Sequence, residues 1–224
     1  MNLKTSASLL STLIFSSNLH ADFLPPNDLH QQDSLSIINH VTEKTFHSIL
    51  DKIHQYYTPI IASHDGEFEI IAKWEDSTVN AFAGQTEDGK WQIHMFGGLA
   101  RRPEITEDGF TLVACHEVGH HLAGWPRTMA VWYAASEGGS DYFATLSCAR
   151  RMWEGQDNAH TEALIPDYPK KLCDETFQDE GVDRKRLCYR EMLASYSAAE
   201  LTAINSGVVI SFDKPCAEHL MLVI

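Results

Sequence analysis

The chain has 224 residues, 44% of them hydrophobic, which is enough for a domain with its own core and too apolar for a disordered protein. Lys and Arg number 17 against 31 Asp and Glu, for a net charge of −14. With that acidic balance and no long basic run, the composition argues against nucleic-acid binding.

Residues 1–21 are a separate object. A short basic start, MNLK, leads into the apolar run ASLLSTLIFSS, and NLHA then ends on the small residue Ala21. That is the pattern of a secretory signal peptide, because the apolar run is too short to span a bilayer. The expected mature chain, residues 22–224, is a single domain with no membrane span, periplasmic or secreted. Its five cysteines, Cys115, Cys148, Cys173, Cys188 and Cys216, then meet a compartment where disulfides form. The odd count leaves at least one unpaired. Cys173 and Cys188 bracket a polar stretch and are the expected pair, and Cys115 reads as a small buried packing residue.

Residues 22–33 form a proline-containing lead-in. From Ser34, apolar residues recur at helical spacing through Leu35, Ile38, Val41, Phe46, Ile49 and Ile53, predicting a helix that ends before Pro59. GEFEIIAKW alternates as a strand should. VNAFAG is a second strand, EDGK a turn and WQIHMF a third strand, so the last two close a hairpin. GGLA leads into the loop RRPEITEDG, and Thr106 with Glu107 and Asp108 opens a helix. Gly124 and Pro126 end it. A further helix is expected from near Ala134 to about Glu154, a long loop over 155–182, and a helix from Asp183 to Ile204. VVISF reads as a short strand and AEHLMLVI as an apolar tail. A helix, then strands, then helices make this an α+β chain.

The helix opened by Thr106 carries ACHEVGHHLAG, residues 114–124. Histidines four apart lie about 400° round a 3.6-residue helix, so His116 and His120 share one face roughly 6 Å apart along the axis. That spacing lets two imidazoles hold one Zn²⁺, an ion that lowers the pKa of bound water to about 7. Glu117, beside His116, is placed as the general base. A catalytic zinc takes three protein ligands. The solution HExxHxxGxxH fails, because Ala123 and Pro126 stand at its glycine and last histidine. Glu137, on the next expected helix, is the third candidate ligand. Asp141, four residues on, would hydrogen-bond the outer nitrogen of a ligand histidine and fix its tautomer. Gly119, Gly138 and Gly139 suit two helices that approach closely at the metal. His121 points about 100° away from His120 and reads as a packing or rim residue. His94, on an outward strand position, reads as solvated.

HEVGHH, EGGSD and NAFA, with GGL between them, resemble the gluzincin zinc metallopeptidases of the HtpX and CAAX prenyl endopeptidase type, in their soluble periplasmic branch. The match runs over about residues 79–144. The resemblance implies a zincin-like α+β fold, with the HExxH helix and the following helix packed beside a small mixed or antiparallel sheet. It implies one Zn²⁺ per chain on His116, His120 and Glu137, with Glu117 as base. It also implies that Asn80, Ala81, Phe82 and Ala83 border a cleft where an extended substrate adds as a β-strand. Members of that branch commonly carry a late His-Pro and Arg element for substrate or oxyanion. No His-Pro occurs here, and His219 alone stands in the late chain for that role, which suggests a shortened or altered C-terminus. The expected function is zinc-dependent endoproteolysis of extended or misfolded polypeptides. The alternative is a catalytically weak zinc-binding chaperone or interaction protein that keeps the fold.

Overall fold

The computed structural model describes residues 20–31, 41–129, 131–204 and 208–212. Most of the expected signal peptide lies outside these residues, as do Cys216, His219 and the apolar tail.

Helix α1 (Glu43–Ala62) starts at Thr42, whose hydroxyl accepts from Thr45 N at 3.2 Å. Phe46, Leu50, Ile53, Tyr57 and Ile61 form its buried stripe. It does not stop before Pro59 but runs through it. Pro59 sits in the last turn, where its missing N–H forfeits one helical bond, and burial of Ile61 holds that turn closed.

The sheet is mixed. Strands β1 (Ala21–Asp22), β2 (Glu67–Lys73), β3 (Ala81–Gln85) and β4 (Lys90–Phe96) lie in the order β1-β3-β4-β2. The hairpin of β3 and β4 turns at Gly89, whose φ of 92° suits glycine. β2 pairs parallel with β4, and β1 pairs antiparallel with β3. The edge strand β1 thus joins Ala21, the last residue of the expected signal peptide, to Asp22, the first of the expected lead-in. GGLA, which leads into the loop RRPEITEDG, forms the short helix α2 (Gly97–Ala100). A Cβ on Gly97 would lie 1.8 Å from the Trp74 carbonyl oxygen, so only glycine lets α2 sit against that backbone.

Helix α3 (Glu107–Leu122) is capped by Thr106, whose hydroxyl accepts from Gly109 N at 3.0 Å. It is buried continuously from Gly109 to His121, as a helix enclosed on all sides must be. The sheet and α1 flank it on one side, and α7 (Val182–Ala203) packs on another. Arg190 of α7 clamps Asp108 with two bonds of 2.9 and 2.6 Å, and Ser197 ties Thr106 N and Glu104 O.

The next helix begins later than expected. α4 (Glu137–Phe143) follows the Ser136 cap and widens into a π-helical segment (Ala144–Ala149) before α5 (Arg150–Trp153). Residues 155–182 are not one long loop. They contain a 3-10 turn (Ala159–Ala163) and helix α6 (Asp167–Thr176). α6 is polar enough to hide its pattern, since it buries only Pro169 and Cys173. The Cys173–Cys188 disulfide pins it to α7, as the sequence suggested. Cys115 is buried but is not a free thiol. It bonds Cys148 across 33 residues and joins α3 to the π segment. Residues 208–212 form no strand, and Phe212 instead rests against Tyr196.

Candidate metal centre

The structure brings together residues from α3 and α4 that are up to 25 positions apart. One nitrogen each of His116 and His120 and one carboxylate oxygen of Glu137 lie within 4.8 Å of one another, so the three could hold a metal ion. Gly119 makes this possible. A Cβ there would lie 2.8 Å from Ser140 Cα and 2.9 Å from Ser140 O, closer than real side chains come to backbone. Gly139 does not share this role, since its Cβ would meet nothing nearer than the Ser136 hydroxyl at 3.3 Å. The glycine inside HEVGHH sets the helix approach.

Both imidazoles are oriented through their Nδ1 atoms. His116 Nδ1 is 2.7 Å from Asp141 Oδ1, the partner expected from the spacing. His120 Nδ1 is 2.9 Å from the Ala135 carbonyl. These bonds turn both Nε2 atoms toward Glu137, whose Oε2 is 3.1 Å from His116 Nε2 and 3.6 Å from His120 Nε2. His120 Nε2 is buried and has no hydrogen-bond partner among the described residues. An imidazole nitrogen left so, beside a second imidazole and a carboxylate, is a donor set that suits zinc.

The electrostatics favour a cation at this point. Burial works against a charged His116. The bonds to Asp141 and Glu137 and the charge of Glu117 outweigh it and raise its pKa to about 10. A proton and a metal compete for that nitrogen, so surroundings that favour one favour the other. Burial and then the charge on His116 push the pKa of His120 down, which keeps its ring neutral. Glu137 is held below the usual carboxylate range by its His116 bond and both imidazoles, against the effect of burial.

Glu117 is fully buried, and neither carboxylate oxygen has a hydrogen-bond partner among the described residues. Burial pushes its pKa well above the ordinary range; His116 opposes this, while Glu137, Asp22 and Asp141 add to it. A buried carboxylate without a bond is costly, and burial of this kind favours its protonated form.

The other wall is the sheet and the segment between α3 and α4. Ala81 and Ala83 are fully buried, and Phe82 stacks on His94 at 4.2 Å. His94 is thus half-buried and not solvated, and burial lowers its pKa to about 4. His121 is a packing residue: it contacts the Gln92 carbonyl at 3.0 Å and stacks on Trp91 and Tyr133. Tyr133 donates to Ala83 O at 3.2 Å. Spacing carries no sign of Tyr133, or of Phe23, whose ring stands edge-on to His116 at 5.6 Å. Both reach the centre through pairings made over 50 residues or more.

A space of about 310 Å³ opens beside His116, lined by Phe23, Leu112, Val113, Tyr142, Thr145 and Ala198 among others. A larger cavity of about 650 Å³ lies by α5 and α7, away from His116, His120 and Glu137. Its arginines, Arg150, Arg151 and Arg184, are each paired with a glutamate, so it presents little uncompensated charge.

No helix among the described residues is long and apolar enough to cross a membrane. No curated protein and no solved structure matches the chain. The model of peptidase family M48 matches residues 43–158, just over half of the chain and the span that contains α1, the three long strands, α3 and α4. The chain belongs to peptidase family M48.

Proposed function

We propose that this chain is a zinc-dependent endopeptidase acting on extended polypeptide in an oxidising compartment outside the cytoplasm. The observation that carries the reading is the convergence of two Nε2 atoms and one carboxylate oxygen within 4.8 Å, with a buried, unbonded carboxylate on the adjacent residue. His116, His120 and Glu137 would hold the ion. When bound, zinc polarises the scissile carbonyl and makes water acidic enough to attack at neutral pH.

The chain's own groups do the rest. Asp141 and the Ala135 carbonyl hold the two rings in the tautomer that leaves Nε2 free. Glu117 takes the proton from the attacking water and passes it to the leaving amine, for which a carboxyl of raised pKa is suited. Burial of α3 keeps bulk water from that carboxylate. β3 and the Tyr133 segment border the groove where an extended backbone would add, with Asn80, Ala81, Phe82 and Ala83 along its edge. Two disulfides support the compartment, together with the signal-peptide pattern of residues 1–21.

The test is Glu117→Gln. The substitution should keep zinc at one ion per chain, since Glu117 is not a ligand, and should lower cleavage of a fluorogenic peptide library by at least about 10²-fold. Equal rates in both proteins would remove Glu117 from the mechanism. Full zinc with no cleavage by the wild type would favour a binding protein over an enzyme.

A further inference from the structure

The edge of β3 is already paired. Ala21 and Asp22 face Ala83 and Phe82 in antiparallel register, and Phe23 N donates to Ala81 O at 2.9 Å. The Asn80 side chain then completes a backbone-like clamp, accepting from Leu24 N at 2.9 Å and donating to Leu24 O at 3.2 Å. Pairing breaks at Pro25 and Pro26, which have no N–H to offer. It resumes beyond them, where Val79 N donates to Leu29 O and Gln31 N to Ser77 O. Buried Arg101 fastens this end with two bonds to Gln31 O, of 3.1 and 3.0 Å.

The tip of the segment sits in the groove itself. Ala21 is buried in a small cluster with Val131, Tyr133 and Ala134, the segment opposite β3. Phe23 stands against His116 and forms one wall of the 310 Å³ space. The Asp22 carboxylate lies close enough to Glu117 and Glu137 to raise the pKa of Glu117 and to be raised in turn by Glu137. An extended peptide lying between β3 and residues 131–134, with one side chain against a zinc-ligand candidate, is how a substrate would lie.

We propose that residues 22–24, the start of the expected mature chain, are an intramolecular competitor of substrate, held in the peptide groove by β3 and Asn80, and that the position of Phe23 marks a subsite for a bulky apolar side chain. This rests on the peptidase reading for its meaning, though not for its test. The anchor at Gln31 keeps the tip at an effective concentration in the millimolar range, so a peptide from outside must displace it. Removal of a signal peptide after Ala21 would leave the contacts of Asp22, Phe23 and Leu24 in place. If the groove is open about a tenth of the time, the affinity for an external peptide falls about 10-fold. The strap is held by a few main-chain bonds and one ring, each of which a substrate strand can replace.

The experiment uses the full mature chain and its Phe23→Ser variant, with zinc measured in each. The probe is a fluorescently labelled synthetic peptide of residues 20–27, read by anisotropy. Binding at least about 10-fold tighter to the variant than to wild type is expected, and a peptide with Asp in place of Phe23 should bind the variant weakly. Equal binding of the peptide by both proteins would overturn the proposal, whether or not either cleaves anything. If peptidase activity is present, the variant should show a lower KM with little change in kcat, and the peptide should restore the wild-type KM. Hydrogen exchange on wild type needs no variant. The Phe23 and Leu24 amides should be protected and should lose protection when saturating peptide is added. Fast exchange at both amides without peptide would show that the strap is not seated and would also overturn the proposal.

Discussion

The two walls of the centre are built on different principles. The helix wall, α3 with α4, is locked by features that nothing from outside can substitute. Gly119 lies against Ser140 backbone, Cys115 is bonded to Cys148, and His116 and His120 each have a fixed partner on Nδ1. Closing a loop of that length contributes about 3–4 kcal/mol in the chain-entropy account. The strand wall is held by main-chain hydrogen bonds along β3 and by the clamp of Asn80, which any extended peptide can make equally well. Trp132, beside Tyr133 on this wall, is largely exposed. Metal chemistry needs ligands held to fractions of an ångström, whereas peptide binding needs an edge that can be given up and retaken.

Substitutions should therefore cost metal on one wall and peptide affinity on the other. The largest effect is expected for His116→Ala, which should lose zinc almost completely in metal analysis; stoichiometric zinc in that variant would sink the ligand assignment. Asp141→Asn comes next, with zinc bound about 10- to 100-fold more weakly in a chelator titration, because the ring loses its anionic partner but keeps its place. Gly119→Ala forces a methyl group into Ser140 backbone and should lower stability by about 1–3 kcal/mol in chemical denaturation. Unchanged stability would mean that α4 can move away at no cost, and that the helix wall is less rigid than its contacts indicate. The smallest effect is expected for Tyr133→Phe on the strand wall. Loss of one hydrogen bond to Ala83 O should cost about 1 kcal/mol, raise KM a few-fold and leave kcat and zinc content unaltered. A matching loss of zinc would erase the distinction between the walls.

Much of the helix wall was legible in the primary sequence because its information is local. His116 and His120 lie four residues apart on α3, and Glu137 and Asp141 four apart on α4, so helical periodicity alone puts each pair on one face, with Glu117 next to His116. Thr106, Asp88 with Gly89, and Gly124 mark their elements for the same reason: caps and turns are chosen by a few neighbouring residues. The role of Gly119 could be suspected but not separated from that of Gly138 or Gly139, since close approach is a property of two backbones together.

What tertiary structure alone decided is non-local. The pairing of Cys115 with Cys148 depends on the π segment reaching α3, and α6 is fixed to α7 by its disulfide and a small apolar cluster. Pro59 stays inside α1 because burial of Ile61 offsets the lost bond. The assignment of residues 21–24 to the β3 edge follows from main-chain hydrogen bonds, which every residue but proline can make and which leave no mark in the side-chain pattern. A ligand set is written in side chains and can be read from them, whereas a strand's choice of partner is written in backbone and appears only once the chain has folded.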